Sequence, residues 1–217
     1  MSLTHPSPNF GERRGRGRVE LVVLHYTAMP TCAEALERLC DPAAEVSAHY
    51  LIDGDGTVLS LVDEAARAWH AGAGEWRGEG DVNSRSVGIE LANRGREPFA
   101  EPQMAALERL LAGVLERHGL GPEAVIGHSD MAPDRKGDPG SRFDWRRLAL
   151  QGLSVWPEPD EPGDILADLR AFGYPEAGPE TLLAAFRLRF RPWAAGPLDD
   201  SDRAVAAGLR PYAPVRG

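Results

Sequence analysis

Residues 127–139 read Gly-His-Ser-Asp-Met-Ala-Pro-Asp-Arg-Lys-Gly-Asp-Pro. The apolar run Ala124-Val125-Ile126 leads into them, which places His128 at the end of a buried strand. Pro133, Pro139, Gly127 and Gly137 argue against a regular helix through the stretch. His128, Lys136 and Asp138 therefore share one stiff polar loop, which suits a site better than a spacer. Among the 24 lysines and arginines of the chain, Lys136 is the only lysine. A compact ammonium and a planar guanidinium do different work. One account of this residue is chance on an arginine-rich background. The other, favoured by the neighbouring His128 and Asp138, is a chemical requirement.

Upstream, Val19-Glu20-Leu21-Val22-Val23-Leu24 has the β-branched pattern of a buried strand and ends in His25-Tyr26-Thr27. Taken alone, a histidine there reads as a satisfied core residue. Residues 1–18, rich in Pro, Gly and Arg, read as an extended arm. Thr31 and Glu34 form a capping-box pattern for a helix over 32–40. Residues 46–62 read as a β-hairpin turning at Asp53-Gly54-Asp55-Gly56, with His49 structural in its first strand. Trp69-His70, in a Gly-rich loop, either lines a cleft or plugs the edge of the core. In Ser86–Ala92, another buried-strand pattern, Glu90 interrupts the apolar run, and a carboxylate there is costly unless paired or used. Residues 102–118 form an amphipathic helix ending before Gly119, and 144–150 a short one. After the linker-like Pro-Glu-Pro-Asp-Glu-Pro-Gly stretch, helices are expected around 163–171, 179–190 and 200–209.

The 217 residues and 42% apolar content allow one domain with a small appendage. The reading is an α/β protein, residues 1–156, with a three-helix module, 157–217, docked on it. A net charge of −9 argues against a nucleic-acid partner. No segment has the length and apolarity of a membrane span. Cys32 and Cys40, about 12 Å apart along one helix, are too distant for a disulfide. Reduced thiols and an N-terminus without a signal-peptide pattern point to the cytoplasm, with the cell envelope the alternative if a leader has been trimmed. The protein is expected to act as a monomer.

Two imidazoles and a carboxylate, His25, His128 and Asp138, make a donor set suited to a catalytic zinc with an open position. Glu90 is a candidate general base and Lys136 a candidate partner for a developing oxyanion. Several stretches resemble, in order, the zinc-dependent N-acetylmuramoyl-L-alanine amidases of the type 2 amidase and peptidoglycan-recognition superfamily. They are Val-Val-Leu-His-Tyr-Thr (22–27), the 46–58 hairpin, Arg-Ala-Trp-His-Ala-Gly (67–72), Asn-Ser-Arg-Ser-Val-Gly-Ile-Glu-Leu-Ala-Asn (83–93) and residues 127–140. The resemblance implies a mixed central β-sheet flanked by helices, with Zn2+ held by His25, His128 and Asp138. It implies Glu90 as acid and base, Lys136 as transition-state stabiliser, and hydrolysis of the amide joining N-acetylmuramic acid to L-alanine in bacterial cell-wall degradation. The partners implied are the peptidoglycan sacculus or its (anhydro)muropeptide fragments. Tyr26, Trp69, His70 and Asn93 are candidate substrate contacts. Residues 172–199 resemble a small peptidoglycan-binding module, read either as a binder or as a stabilising appendage. The rival reading, a non-catalytic peptidoglycan-recognition protein on the same fold, typically lacks a metal ligand, whereas this set is complete.

Overall fold

The apolar run Leu21–Tyr26 becomes an interior strand of a five-stranded sheet, buried on both faces as its pattern requires. In chain order the strands are β1 (Phe10–Glu12), β2 (Leu21–Tyr26), β3 (Tyr50–Ile52), β4 (Val58–Ser60), β5 (Ala66–Ala68), β6 (Ser86–Leu91) and β7 (Val125–Gly127). The sheet order is β4-β3-β6-β2-β7. β2 runs parallel to β6 and β7, and β6 parallel to β3. β4 joins antiparallel through the Asp53–Gly56 turn, so the sheet is mixed. This computed structural model describes residues 4–214.

The helices are α1 (Cys32–Cys40), α2 (Val82–Arg85), α3 (Glu101–His118), α4 (His128–Met131), α5 (Trp145–Leu150), α6 (Ile165–Phe172), α7 (Pro179–Phe190) and α8 (Asp200–Ala207). Thr31 caps α1 by accepting the Glu34 N–H at 3.2 Å. Gly119 ends α3 with φ 62°, a conformation glycine adopts without strain. Cys32 and Cys40 are both free thiols. No helix among the described residues is long and apolar enough to cross a membrane.

Two elements depart from the sequence reading. The arm does not hang free: β1 pairs antiparallel with β5, and the Ser7 hydroxyl donates to Leu39 O at 2.6 Å. The loop after β7 begins with one helical turn, α4, because only four residues separate Gly127 from Ala132 and Pro133 lies just beyond. Proline stops that turn from growing but does not stop it from forming.

Side chains alternate across the sheet. Val22, Leu24, Val87, Ile89 and Leu91 face α3, where Met104, Leu107, Leu111 and Val114 bury one stripe. On the opposite face, Leu51 packs under α1 with Ala35 and Leu39. Leu21, Val23 and Ile126 pack on that face with Ile165, Leu169, Phe172, Leu182, Phe186 and Phe190 of α6 and α7. Trp76, fully buried, sits edge-on to Phe172 with ring centroids 5.5 Å apart. The C-terminal helices thus share one apolar cluster with the sheet. Between α1 and these helices the face carries His25 and Glu90 in place of apolar cover.

Because Phe172 is fully buried against sheet residues, Phe172→Ala is expected to cost about 3–5 kcal/mol of stability. Denaturant unfolding followed by near-ultraviolet dichroism and by tryptophan fluorescence should show one shared transition moving to lower denaturant. Two separated transitions would mean that the C-terminal helices unfold independently of the sheet.

Candidate metal centre and active site

Register brings the first two site residues together. His25 of β2 lies directly opposite Glu90 of β6, and Leu24 opposite Gly127 of β7. His25 therefore ends its strand next to the point where β7 releases His128. The loop after α4 then returns Asp138 to the same place, with Ser129 N–H donating to Asp138 O at 2.9 Å. The three side chains converge. His25 Nδ1 lies 2.9 Å from His128 Nδ1 and 2.9 Å from Asp138 Oδ2, and His128 Nδ1 lies 3.0 Å from Asp138 Oδ2. All three residues are buried.

The outer nitrogens decide which atoms point inward. His128 Nε2 lies 2.9 Å from Ala71 O, which can only accept, so Nε2 carries the proton and Nδ1 a lone pair. The Ser86 hydroxyl donates its single proton to Val82 O at 2.6 Å. It must then accept from His70 Nε2, 3.1 Å away. His70 Nδ1 is left as an acceptor for His25 Nε2–H at 3.0 Å, so His25 Nδ1 also presents a lone pair. Burial, then the neighbouring His128 charge, pushes His25 down to about 4, so the ring is neutral near pH 7. Burial pushes Asp138 upward, but a proton shared with His128 and His25 outweighs it and holds its carboxyl below the usual range. Three acceptors facing one another with no donor among them form a cluster that only a cation or a shared proton can hold. These three residues can hold a metal ion, and neutral imidazoles with a carboxylate, each braced from outside, fit a zinc donor set.

Glu90 lies in the same cleft, a volume of about 420 Å³ also lined by Tyr26, Trp69, Arg38, Arg135 and Lys136. Its Oε2 is buried without a hydrogen-bond partner. Burial, then the charge of Asp138, pushes its carboxyl up to about 8, with Lys136 opposing. A cation at the three ligands would offset Asp138 and act with Lys136 to draw Glu90 back toward ionisation. Lys136 is exposed at the cleft rim and, among the described residues, makes no ion pair.

The other candidates divide. Tyr26, Trp69 and His70 line the cleft. His70 lies behind His25 and spends both ring nitrogens on His25 and Ser86. It fits only because residue 88 is glycine, where a Cβ would stand 2.4 Å from the His70 ring. Asn93 does not line the cleft: its amide donates to Glu97 O at 3.3 Å and its oxygen accepts Gly95 N–H at 2.6 Å, shaping the loop after β6. His49 is structural, accepting the Gly88 N–H on Nδ1 at 2.9 Å. Sequence reasoning passed over Gly88, Ser86, Asp130 and Arg189. Only Arg189 left a signal, a charge on the face of α7 that otherwise holds Leu182, Phe186 and Phe190.

The sequence profile of the N-acetylmuramoyl-L-alanine amidases matches residues 15–141. The chain belongs to that family. It is 34% identical to N-acetylmuramoyl-L-alanine amidase AmiD of Escherichia coli K12, the match covering 88% of this chain and 82% of that protein. The structure of E. coli AmiD in complex with anhydro-N-acetylmuramic acid-L-Ala-D-γ-Glu-L-Lys superposes with a TM-score of 0.80 at 32% identity, over 96% of this chain and 91% of that one. AmpDh3 of Pseudomonas aeruginosa in complex with an anhydromuramic pentapeptide superposes with a TM-score of 0.81 at 31% identity, over 94% of each chain. The mixed sheet with flanking helices is thus the fold of these amidases, and both matches extend through the C-terminal helices.

Glu90 also makes a stability prediction for the metal-free protein. Its folded pKa of about 8 lies above the ordinary 4.5. Between those values the unfolded chain releases a proton that the folded chain retains, so stability falls as pH rises, and the loss is complete above about 8. Glu90→Gln removes this loss. Denaturant unfolding of metal-free samples should show the variant gaining on the parent from about pH 5 to about pH 9. A pH-independent difference would place the carboxyl in a polar environment instead.

Proposed function

We propose that this amidase uses a zinc ion held by His25 Nδ1, His128 Nδ1 and Asp138, with Glu90 and Lys136 as its catalytic side chains. The observation that carries this reading is the convergence of three lone-pair atoms beside a buried, unpaired carboxylate oxygen in one cleft. When bound, zinc supplies Lewis acidity and makes water acidic enough to act as a nucleophile near neutral pH. Glu90 takes the proton from the attacking water as its oxygen bonds to the lactyl carbonyl carbon of N-acetylmuramic acid. The ammonium of Lys136 faces the negative charge that develops on the carbonyl oxygen. Glu90 then delivers the proton to the L-alanine nitrogen as the C–N bond breaks, leaving a carboxylate and a free amine. His70 and the Ala71 carbonyl hold the two imidazoles in the tautomers this arrangement needs.

The substrate class we assign is muropeptides carrying the 1,6-anhydro sugar, with Tyr26 and Trp69 on the cleft walls against the sugar and stem peptide. The complexes of the two structural relatives with anhydromuropeptides support this assignment. We further assign the chemistry to residues 1–156, with 157–217 an appended helical segment. A non-catalytic receptor on this fold has no use for an unpaired buried Glu90.

Digestion of soluble anhydromuropeptides and of intact sacculi, followed by mass spectrometry of the released peptides, tests the reading. Free stem peptide with L-alanine at its N-terminus is expected from the first substrate. Asp138→Ala should lose metal and activity together. Glu90→Gln should retain metal and slow turnover by roughly 10²–10⁴-fold. Stoichiometric metal in Asp138→Ala, or near-parental rates in Glu90→Gln, would overturn the corresponding role.

Lys136→Arg separates a point charge from charge alone. A guanidinium is wider and delocalised, so it cannot place its charge where the ammonium sat. Loss of one oxyanion partner costs about 3 kcal/mol, roughly a hundredfold in kcat. Lys136→Arg should approach that loss while metal content and Tm stay unchanged. Full activity would return Lys136 to an incidental surface charge.

A further inference from the structure

Asp130 and Arg189 are 59 residues apart in sequence, yet they form an ion pair of 2.6 Å whose side chains are each only 1% exposed. The carboxylate is surrounded by donors. Its Oδ2 accepts from Arg189 Nη1 and from Gly127 N–H at 2.8 Å, and its Oδ1 accepts from the Tyr174 hydroxyl at 2.6 Å. Arg189 Nη2 reaches Val125 O at 3.0 Å, and the guanidinium stacks 4.3 Å from the Trp145 ring centroid and 4.8 Å from that of Phe190. Asp130 itself stands two residues after His128, in the single turn that His128 begins. It therefore holds the peptide just before the ligand, while Arg189 holds the strand carbonyl two residues earlier still. Two residues after Gly127, the Ser129 N–H passes the constraint to Asp138 O at 2.9 Å. One carboxylate thus anchors the residue before His128, the same turn is tied to Asp138 through Ser129, and two of that carboxylate's three partners come from the C-terminal segment.

Stability alone is a weak reason for such a pair. Desolvation of two charges consumes much of the attraction, and apolar replacements of buried pairs are often neutral or better. What a buried, fully engaged carboxylate does supply is fixed direction. We propose that Asp130, Tyr174 and Arg189 are positioning residues for the metal centre, so that α7 and Tyr174, two residues beyond α6, set the geometry of His128 and Asp138 from the protein interior. The inference rests on the zinc reading above. It assigns the C-terminal segment a part in ligand geometry that needs no contact with cell wall.

The test uses the full chain. Zinc dissociation constants are measured by competition with a chromophoric chelator for the parent, Tyr174→Phe, Asp130→Asn and Arg189→Lys, each checked for folding by thermal melting. Tyr174→Phe removes one hydroxyl and keeps the ring among Trp76 and Phe172. It remains the deciding variant if Arg189→Lys or Asp130→Asn does not fold. Zinc affinity should weaken by roughly 10–100-fold, as for loss of groups that orient metal ligands. At saturating zinc, kcat should fall while KM for soluble anhydromuropeptide stays within about twofold, since substrate-binding groups are untouched. Parental zinc affinity in folded Tyr174→Phe and Asp130→Asn, with only Tm lowered, would overturn the inference and make the network a purely structural clamp. Unchanged zinc affinity with a raised KM on sacculi would also overturn it, in favour of substrate capture by the C-terminal helices. A parent that binds no zinc would remove the proposed function and this inference together, which the parent titration reads before any variant is compared.

Discussion

Six consecutive parallel pairs fix β2 against β6, and the fifth sets His25 beside Glu90. Alternation along a strand has a period of two, so a slip of one residue would turn His25 toward α3 and send Leu24 into the cleft. The hydrophobic pattern forbids that slip. Leu21 and Val23 must meet the C-terminal helices while Val22 and Leu24 must meet α3. The apolar residues that stabilise the sheet are thus also the device that aims the polar ones. The cleft lies where parallel strands end, the usual place for a ligand in such sheets.

The polar end of that face is held by complementary small choices. Gly88 leaves space for the His70 ring, and Ser86, two residues earlier on the same face, accepts its far nitrogen. This chain of hydrogen bonds ends at a backbone carbonyl, which cannot reverse direction. The tautomer of His25 is therefore dictated by a residue in another part of the strand pair. Burial keeps the His25 ring neutral, and burial also pushes the Glu90 carboxyl up to about 8. One environment thus leaves His25 with a free lone pair and Glu90 with a carboxyl whose ionisation a nearby cation would favour.

The C-terminal helices enter this arrangement twice. Their apolar faces complete the cover over Leu21, Val23 and Ile126, with Trp76 and Phe172 at the contact. Through Arg189 and Tyr174 they also meet the turn that carries His128. Packing and polar contact come from the same short helices, so changes in α7 reach both the core and the site.

Much of this was legible in the chain itself. The β-branched runs at 19–24 and 86–92 read as buried strands, the 102–118 stripe as a helix, and Asp-Gly-Asp-Gly as a turn. Those follow from local sterics and from period, which a sequence displays directly. Glu90, His128, Lys136 and Asp138 stood out because each is a polar group where the pattern calls for apolar residues or a plain loop, whereas His25 alone read as a core histidine and joined them only as part of the donor set. The single turn of α4 was not legible, since one turn leaves no periodicity to read. Nor were the role of His70 behind His25, the withdrawal of Asn93 into its own loop, or the pairing of Asp130 with Arg189. Each depends on which atoms lie within about 3 Å once distant segments meet, and hydrogen-bond partners at such separations leave no spacing in the chain. The sequence determined the elements and the chemical types available. Tertiary structure alone decided which nitrogen of each histidine faces Asp138 and which residues hold it there, because those are properties of contact rather than of order.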